Sequence, residues 1–383
     1  MKATKLRVAG FASMIFPVVT LSVNCQICGA CRILALLVGA LLVVSRAIAD
    51  QPTGQRAPVL DMHMHARTAA FYGPPPLPIC APVERMPRWD QRKPMWQDDE
   101  TPPPCRTPML SPVTDAALLA DTVAMMERHN VIGVLGGESA LVGQWMKAAP
   151  GRFIPALDVR FERDTGRAIA PTPPGSARRP LSPDTIRELH KSGAFRVLAE
   201  VTNQYAGIAP DDQRLEPLWA LAEELDVPVG IHVGGAEPGT PYTGSPAFRA
   251  RLQSALTLEE VLVRHPKLRV YIMHAGYPLV DDLLALMFTH PQVYIEPSMA
   301  INVETRAAFY RFLRPIIEAG YGDRVMFGSD QIIWPGLIEV AVRSIEEAPF
   351  LSAEQKRDIF YNNAARFLRL TPDEIAAHHR MAR

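Results

Sequence analysis

The sequence predicts an α/β protein of the (β/α)8, or TIM-barrel, class. Three observations carry that expectation. From about residue 115, short apolar β-rich runs alternate with longer helical patterns. Most of the runs are near-continuously apolar over 5–8 residues, as parallel strands covered on both faces require. The chemically interesting polar residues recur at the C-terminal ends of predicted strands 1, 5, 6 and 8, which converge on one face in a closed barrel. An open doubly wound sheet is the alternative. It would keep such strands apart, and no Gly-rich phosphate loop follows the first strand.

The chain has 383 residues, enough for a large core. Residues 1–49 carry Lys2, Lys5, Arg7, Arg32 and Arg46 and no acid, which leaves 35 basic against 40 acidic residues in the remainder. Without a basic stripe or interleaved aromatic residues, nucleic acid is not an expected partner. A basic start, the apolar run Ile33 to Val44 and the small-x-small pattern Ala47-Ile48-Ala49 read as a secretory signal peptide over 1–49. The expected location is therefore exported, periplasmic or extracellular. The rival is an uncleaved membrane anchor, for which the uncharged stretch Val8 to Cys31 is long enough. Cys25, Cys28 and Cys31 lack further nearby Cys or His residues to complete a metal set. Residues 50–383 form the expected barrel domain. There Cys80 and Cys105 are a disulfide or two free thiols.

The predicted strands are Val59–His65, Val131–Gly137, Phe153–Val159, Phe195–Val201, Pro228–Val233, Arg269–Gly276, Val293–Ser298 and Val325–Asp330. Helical patterns cover Asp115 to Asn130, Leu215–Leu225, Ala247–Arg264, Pro278–Thr289, Ala307–Ala319, Ile338–Glu347 and Ala353–Leu370. Between the first strand and the first helix lies an insertion, residues 66–114, holding eleven of the 36 prolines between Pro74 and Pro108. It follows strand 1, so it is expected to rise over the C-terminal face as a lid. Residues 164–183 form a second loop on that face.

Residues i and i+2 of a strand share a face, so His63 and His65 can share one metal ion. Asp61 is expected on the same face, accepting a hydrogen bond from a ligand imidazole. His232 has Gly230, Gly234 and Gly235 around it, read as room for a metal and substrate to approach. His274 precedes a strand-to-helix turn, and Asp330 ends an apolar run where an unpaired carboxylate is costly. Imidazoles and a carboxylate gathered this way make a metal site. His129, His190, His265, His290, His378 and His379 fall in helices, their ends or the tail, and are read as surface or capping residues.

As a set, Leu60-Asp61-Met62-His63-Met64-His65, Gly230-Ile231-His232, Arg264-His265-Pro266 with Met273-His274-Ala275-Gly276, Phe327-Gly328-Ser329-Asp330 and Asn363-Ala364-Ala365-Arg366-Phe367 resemble the amidohydrolase superfamily. The branch is that of the amidohydrolase-related proteins, which includes aminocarboxymuconate semialdehyde decarboxylase. The resemblance covers roughly residues 58–370 apart from the insertion. It implies that His63, His65, His232 and Asp330 bind a divalent metal, most often zinc. It also implies that Asp330 takes a proton from metal-bound water, while His274 activates that water or stabilises the substrate oxygen. Glu200, near the end of strand 4, either bridges a second ion or hydrogen-bonds to a ligand; one metal is favoured, as in many members of this branch. Glu296 is a candidate for substrate contact.

The resemblance implies a metal-dependent hydrolase of a small-molecule amide, lactone or ester, and allows an oligomer. The alternative is a metal-dependent non-oxidative decarboxylase of an aromatic or unsaturated acid. That reaction needs a cation near the substrate carboxylate; Arg160 and Arg163 are in place for it but are read as surface charges. A non-catalytic binding protein on an enzyme fold would show a damaged ligand set, and all five expected residues are present.

Overall fold

The structure, a computed structural model, describes residues 56–93, 105–172 and 176–381. The predicted signal or anchor segment, residues 1–49, lies outside them. Among the described residues no helix is long and apolar enough to cross a membrane.

Seven parallel strands neighbour one another in chain order: β1 (Val59–Ala66), β2 (Val131–Gly137), β3 (Phe153–Phe161), β4 (Val197–Val201), β5 (Val229–His232), β6 (Val270–Met273) and β7 (Tyr294–Glu296). The expected eighth strand, residues 325–330, forms no regular ladder. Its backbone still closes the ring. Met326 N–H donates to the Ile295 carbonyl at 2.8 Å, Met62 N–H to the Phe327 carbonyl at 2.8 Å, and Asp330 N–H to the His63 carbonyl at 2.9 Å.

The period of two in each strand divides the core. Leu60, Met62, Ile132, Val134, Ile154, Ala156, Val197, Ala199, Tyr271 and Met273 form the cluster inside the barrel. Val59, Met64, Val131, Leu135, Leu157, Val159, Leu198 and Val201 belong to the cluster outside it, under the helices. Two irregularities shift that phase. The β1–β2 register slips between Asp61 and Met64, so Leu60 and Met62 point inward below it and His63 and His65 above it. A slip between Leu198 and Val201 likewise turns both Ala199 and Glu200 inward.

Around the strands lie α1 (Asp115–His129), α2 (Ser139–Ala148), α3 (Pro183–Lys191), α4 (Glu216–Glu224), α5 (Glu259–Arg264), α6 (Val280–Thr289), α7 (Arg306–Glu318) and α8 (Leu337–Glu346). Sequence periodicity misses α2 and α3, which are short and bury only two side chains and one, respectively. The helix expected over Ala247–Arg264 is α-helical only in α5. Before it run two 3-10 turns, broken at Ser254, whose hydroxyl donates to Asp282 at 2.5 Å. The stretch expected over Ala353–Leu370 contains a π turn at Asp358–Asn362, and a further helix, Pro372–Arg380, follows it.

Within the insertion, Pro78–Ile79 pairs antiparallel with Met109–Leu110, and Cys80 and Cys105 form a disulfide. Tyr72 donates to Glu237 at 2.8 Å, Trp89 packs on Tyr242 at 5.2 Å between ring centres, and Trp334 Nε1 donates to the Leu77 carbonyl at 2.8 Å. The described part of the insertion thus reaches the segments that follow β5 and residues 325–330.

Candidate metal centre

The strand ends bring four donor atoms together at the C-terminal mouth. His63 Nε2 and His65 Nε2 are 2.9 Å apart. Asp330 Oδ1 lies 3.6 Å from the first and 3.2 Å from the second. Glu200 Oε2 faces the same pair at 3.9 and 3.8 Å. The other Glu200 oxygen meets His232 Nδ1 at 2.5 Å and His274 Nε2 at 3.5 Å, and His274 Nε2 stands 3.0 Å from His232 Nδ1. Three overlapping donor groups result, His63–His65–Asp330, Glu200–His232–His274 and His63–His274–Glu296, and Glu200 faces both of the first two. His232, expected beside His63 and His65, is in the second group.

Buried partners fix each imidazole. Glu296 accepts from His63 Nδ1 at 2.9 Å and from the Ser298 amide at 2.6 Å. It is fully buried, so it orients His63 and the expectation of a substrate contact is not met. Gly328 makes room for it, since a Cβ there would sit 2.4 Å from Glu296 Oε2. His65 Nδ1 lies 3.0 Å from Arg67, which pairs with Asp158 Oδ2 at 3.3 Å. Gln331 holds the His65 backbone on both sides. Asp61, expected to hold a ligand imidazole, accepts the His63 and Ser329 amides at 3.0 Å instead. The slip in β1 puts it on the opposite side from Leu60 and Met62. The glycines near His232 serve protein packing: a Cβ on Gly234 would meet His274 Cβ at 2.5 Å, and one on Gly230 the Tyr271 ring at 2.4 Å.

Backbone strain gathers at the same residues. His274 has φ 66° and Asp330 φ 47°, left-handed values that non-glycine residues adopt rarely and that cost roughly 1–3 kcal/mol each. The surrounding hydrogen bonds hold both in place.

Burial disfavours charge on His63, but Asp330, Glu296 and Glu200 outweigh it and raise His63 to about 10. Burial and Arg67 lower His65. Burial opposes ionisation of Asp330, yet His63 and His65 hold it below the usual carboxylate range. Burial likewise opposes Glu200 and is overcome by His232. Burial disfavours charge on His274, and the Glu200 hydrogen bond reverses that and raises it.

This donor set fits a divalent cation. Imidazole nitrogens and carboxylate oxygens suit zinc and similar ions, and three buried carboxylates (Glu200, Glu296 and Asp330) supply negative charge that needs an answering cation. His232 Nε2 is buried with no hydrogen-bond partner.

The mouth also holds Arg160, which the sequence reading took as a surface charge. Alternation along β3 places Asp158 and Arg160 on the inner face with Ile154 and Ala156. Arg163 is exposed as expected.

The family model described as amidohydrolase matches residues 60–370. Similar solved structures include a 5-carboxyvanillate decarboxylase from Sphingomonas paucimobilis, 19% identical over 65% of this chain and 82% of that one, with a TM-score of 0.45. A 4-oxalomesaconate hydratase from Rhodopseudomonas palustris is 16% identical over 84% of this chain and 98% of that one, at 0.49. A probable 2-pyrone-4,6-dicarboxylic acid hydrolase from Acinetobacter baumannii is 14% identical over 82% of this chain and 99% of that one, also at 0.49. Comparison with curated proteins finds no match.

Proposed function

The chain belongs to the amidohydrolase family, and we propose that it is a metal-dependent hydrolase of a small-molecule amide, lactone or ester. The observation that carries this reading is the convergence of Asp330 Oδ1 and Glu200 Oε2 on the paired His63 Nε2 and His65 Nε2, each carboxylate oxygen within 3.9 Å of both nitrogens. His63, His65 and Asp330 would hold the principal ion, most readily zinc. Glu200 ties them to His232 and His274, which can take a second.

A bound divalent cation lowers the pKa of a coordinated water to about 7 and polarises a carbonyl. Asp330, kept ionised by the imidazoles beside it, accepts the proton of the attacking water. Protonated His274 donates a hydrogen bond to the carbonyl oxygen as negative charge develops there. Glu296 keeps His63 in the orientation this requires, with Nδ1 donating to it and Nε2 facing the donor group. The insertion acts as a lid that excludes bulk water. Export belongs to the same reading: the Cys80–Cys105 bridge suits an oxidising compartment.

The test is zinc content and turnover of the purified protein with chromogenic esters and lactones. About one equivalent of tightly held metal is expected, with activity lost on chelation and restored by zinc. Turnover that ignores chelators would defeat the proposal.

A second reading, non-oxidative decarboxylation of an aromatic or unsaturated acid, is supported by Arg160 on the inner face of β3. Release of carbon dioxide from a carboxylic acid substrate, without uptake of water, would favour it over hydrolysis.

A further inference from the structure

The hydroxyl of Ser298 stands among the His63–His274–Glu296 donor group. Ser298 lies just past β7 and is fully buried. Its Oγ donates to Glu296 Oε1 at 2.9 Å. The same oxygen is 3.0 Å from His63 Nδ1 and 3.2 Å from His274 Nδ1. The Ser298 carbonyl adds a second contact to His274 Nδ1, at 3.3 Å. Glu296 in turn accepts from the His274 amide at 3.3 Å, besides the Ser298 amide.

A hydroxyl has one hydrogen to give and two lone pairs to fill. A carboxylate oxygen accepts only, and it is a stronger acceptor than a neutral imidazole, so the hydrogen goes to Glu296. The lone pairs are then left for N–H groups, and the two Nδ1 atoms are the groups in reach. With the hydrogen so placed, both imidazoles carry a proton at Nδ1. For His63 this agrees with its bond to Glu296. For His274 it leaves Nε2 as the atom that faces Glu200 at 3.5 Å and His232 at 3.0 Å. Backbone strain surrounds the same hydroxyl. His274 (φ 66°), Ala275 (φ 53°) and Met299 (φ 61°) are all left-handed without being glycine. Such conformations persist only where the surroundings impose them, and they gather where a functional group must be held ready.

We propose that Ser298 is the positioning residue of His274. Its hydroxyl and carbonyl hold Nδ1–H, so that Nε2 is presented to the reacting atoms. Through Glu296 the hydroxyl also ties that ring to His63, so the metal ligand and the catalytic imidazole are oriented as one unit. This deepens the hydrolytic reading of the mouth and rests on it, and one of its two tests needs no turnover.

The first test is heteronuclear NMR of the zinc-loaded full chain, labelled in its histidine nitrogens, with His274 assigned from His274→Gln. Wild type is expected to show protected Nδ1–H signals for His63 and His274. In Ser298→Ala the His274 signal should shift and exchange with solvent about tenfold faster, while the His63 signal persists on Glu296. The second test is hydrolysis of para-nitrophenyl acetate at saturating zinc. Ser298→Ala is expected to lower kcat by about ten- to a hundredfold with little change in KM. The expected NMR result without hydrolysis of the ester supports the positioning role, and then only the hydrolase reading falls. A wild type whose His274 Nδ1 carries no proton, or a Ser298→Ala protein with an unchanged His274 signal or a wild-type kcat, overturns the proposal.

Discussion

Glu296 accepts a hydrogen bond from His63 Nδ1 at 2.9 Å, inside the barrel and out of reach of solvent. With Nδ1 donating, the lone pair of the neutral imidazole is at Nε2, where His65 and Asp330 converge. Partners of this kind set both tautomer and ring orientation of a metal-binding histidine. Replacing Glu296 by Gln is expected to weaken metal affinity by about 10- to 100-fold. Competition with a calibrated chelator measures it, and unchanged affinity would remove Glu296 from the support of the site.

Glu200 presents one oxygen to each of the two donor groups it faces, so metal stoichiometry is the readout of its role. Titrating metal-free protein with zinc should give one tight equivalent and a second, weaker one. In Glu200→Gln the second equivalent disappears while the first is weakened, because His63, His65 and Asp330 remain. A second equivalent that survives the substitution would show that the groups do not depend on Glu200.

Much of this site is legible in the sequence because strand ends are. An apolar run closed by His, or by Asp in Gly328-Ser329-Asp330, announces an inward polar residue at the mouth of a barrel. What the sequence hides are slips of register. Strict alternation aligns Asp61 with His63 and His65, and the irregularity between Asp61 and Met64 separates them. The slip beside Val201 that turns Glu200 inward after Ala199 is equally silent. Glu296 is legible as a polar residue near the end of an apolar run, but not its distance to a histidine 233 positions away. Arg160 is the reverse case: plain alternation along β3 predicts its inward placement, and its position near a loop hid it. The helices missed, α2 and α3, bury too few side chains to leave a periodic pattern.

Asp61 is raised from 3.8 to about 7 by burial, against its hydrogen bonds from Ser329 and His63. Between those two pH values the folded protein holds a proton that the unfolded chain has released, so this group's contribution to stability falls as pH rises through the window. Each unit of separation corresponds to about 1.4 kcal/mol. Asp61→Asn removes the titrating group while keeping an oxygen to accept the two amides. The metal-free variant is expected to lose less stability than wild type between pH 4 and pH 7. Thermal melts across that range decide it; parallel curves for the two proteins would contradict the raised value.

The Cys80–Cys105 bridge closes a loop with a sequence separation of 25, for which chain entropy alone gives about 3 kcal/mol. That loop carries Trp89, packed on Tyr242 in the segment after β5. The paired Cys80→Ser, Cys105→Ser variant should raise KM more than it lowers kcat, because the lid contacts weaken while the strand ends stay in place. Trp fluorescence reports the loosening directly. Equal kinetic constants in both proteins would deny the insertion a part in substrate binding.

Asp330→Asn separates chemistry from fold better than any other change at the site. The residue has φ 47°, a left-handed conformation that asparagine tolerates as well as aspartate. Its backbone N–H still reaches the His63 carbonyl, the 2.9 Å bond that helps close the barrel. Size and shape are preserved, so the melting temperature should move by no more than a few degrees. The side-chain amide, however, cannot accept the proton that the carboxylate takes from water. At saturating zinc, kcat is expected to fall by about 10²–10⁴-fold, the range of a lost general base. Saturating metal matters because a neutral oxygen is the poorer ligand, and a loss of bound zinc would otherwise imitate a loss of catalysis. If the fully loaded variant keeps the wild-type rate, the proton goes elsewhere, and His274 becomes the base to examine.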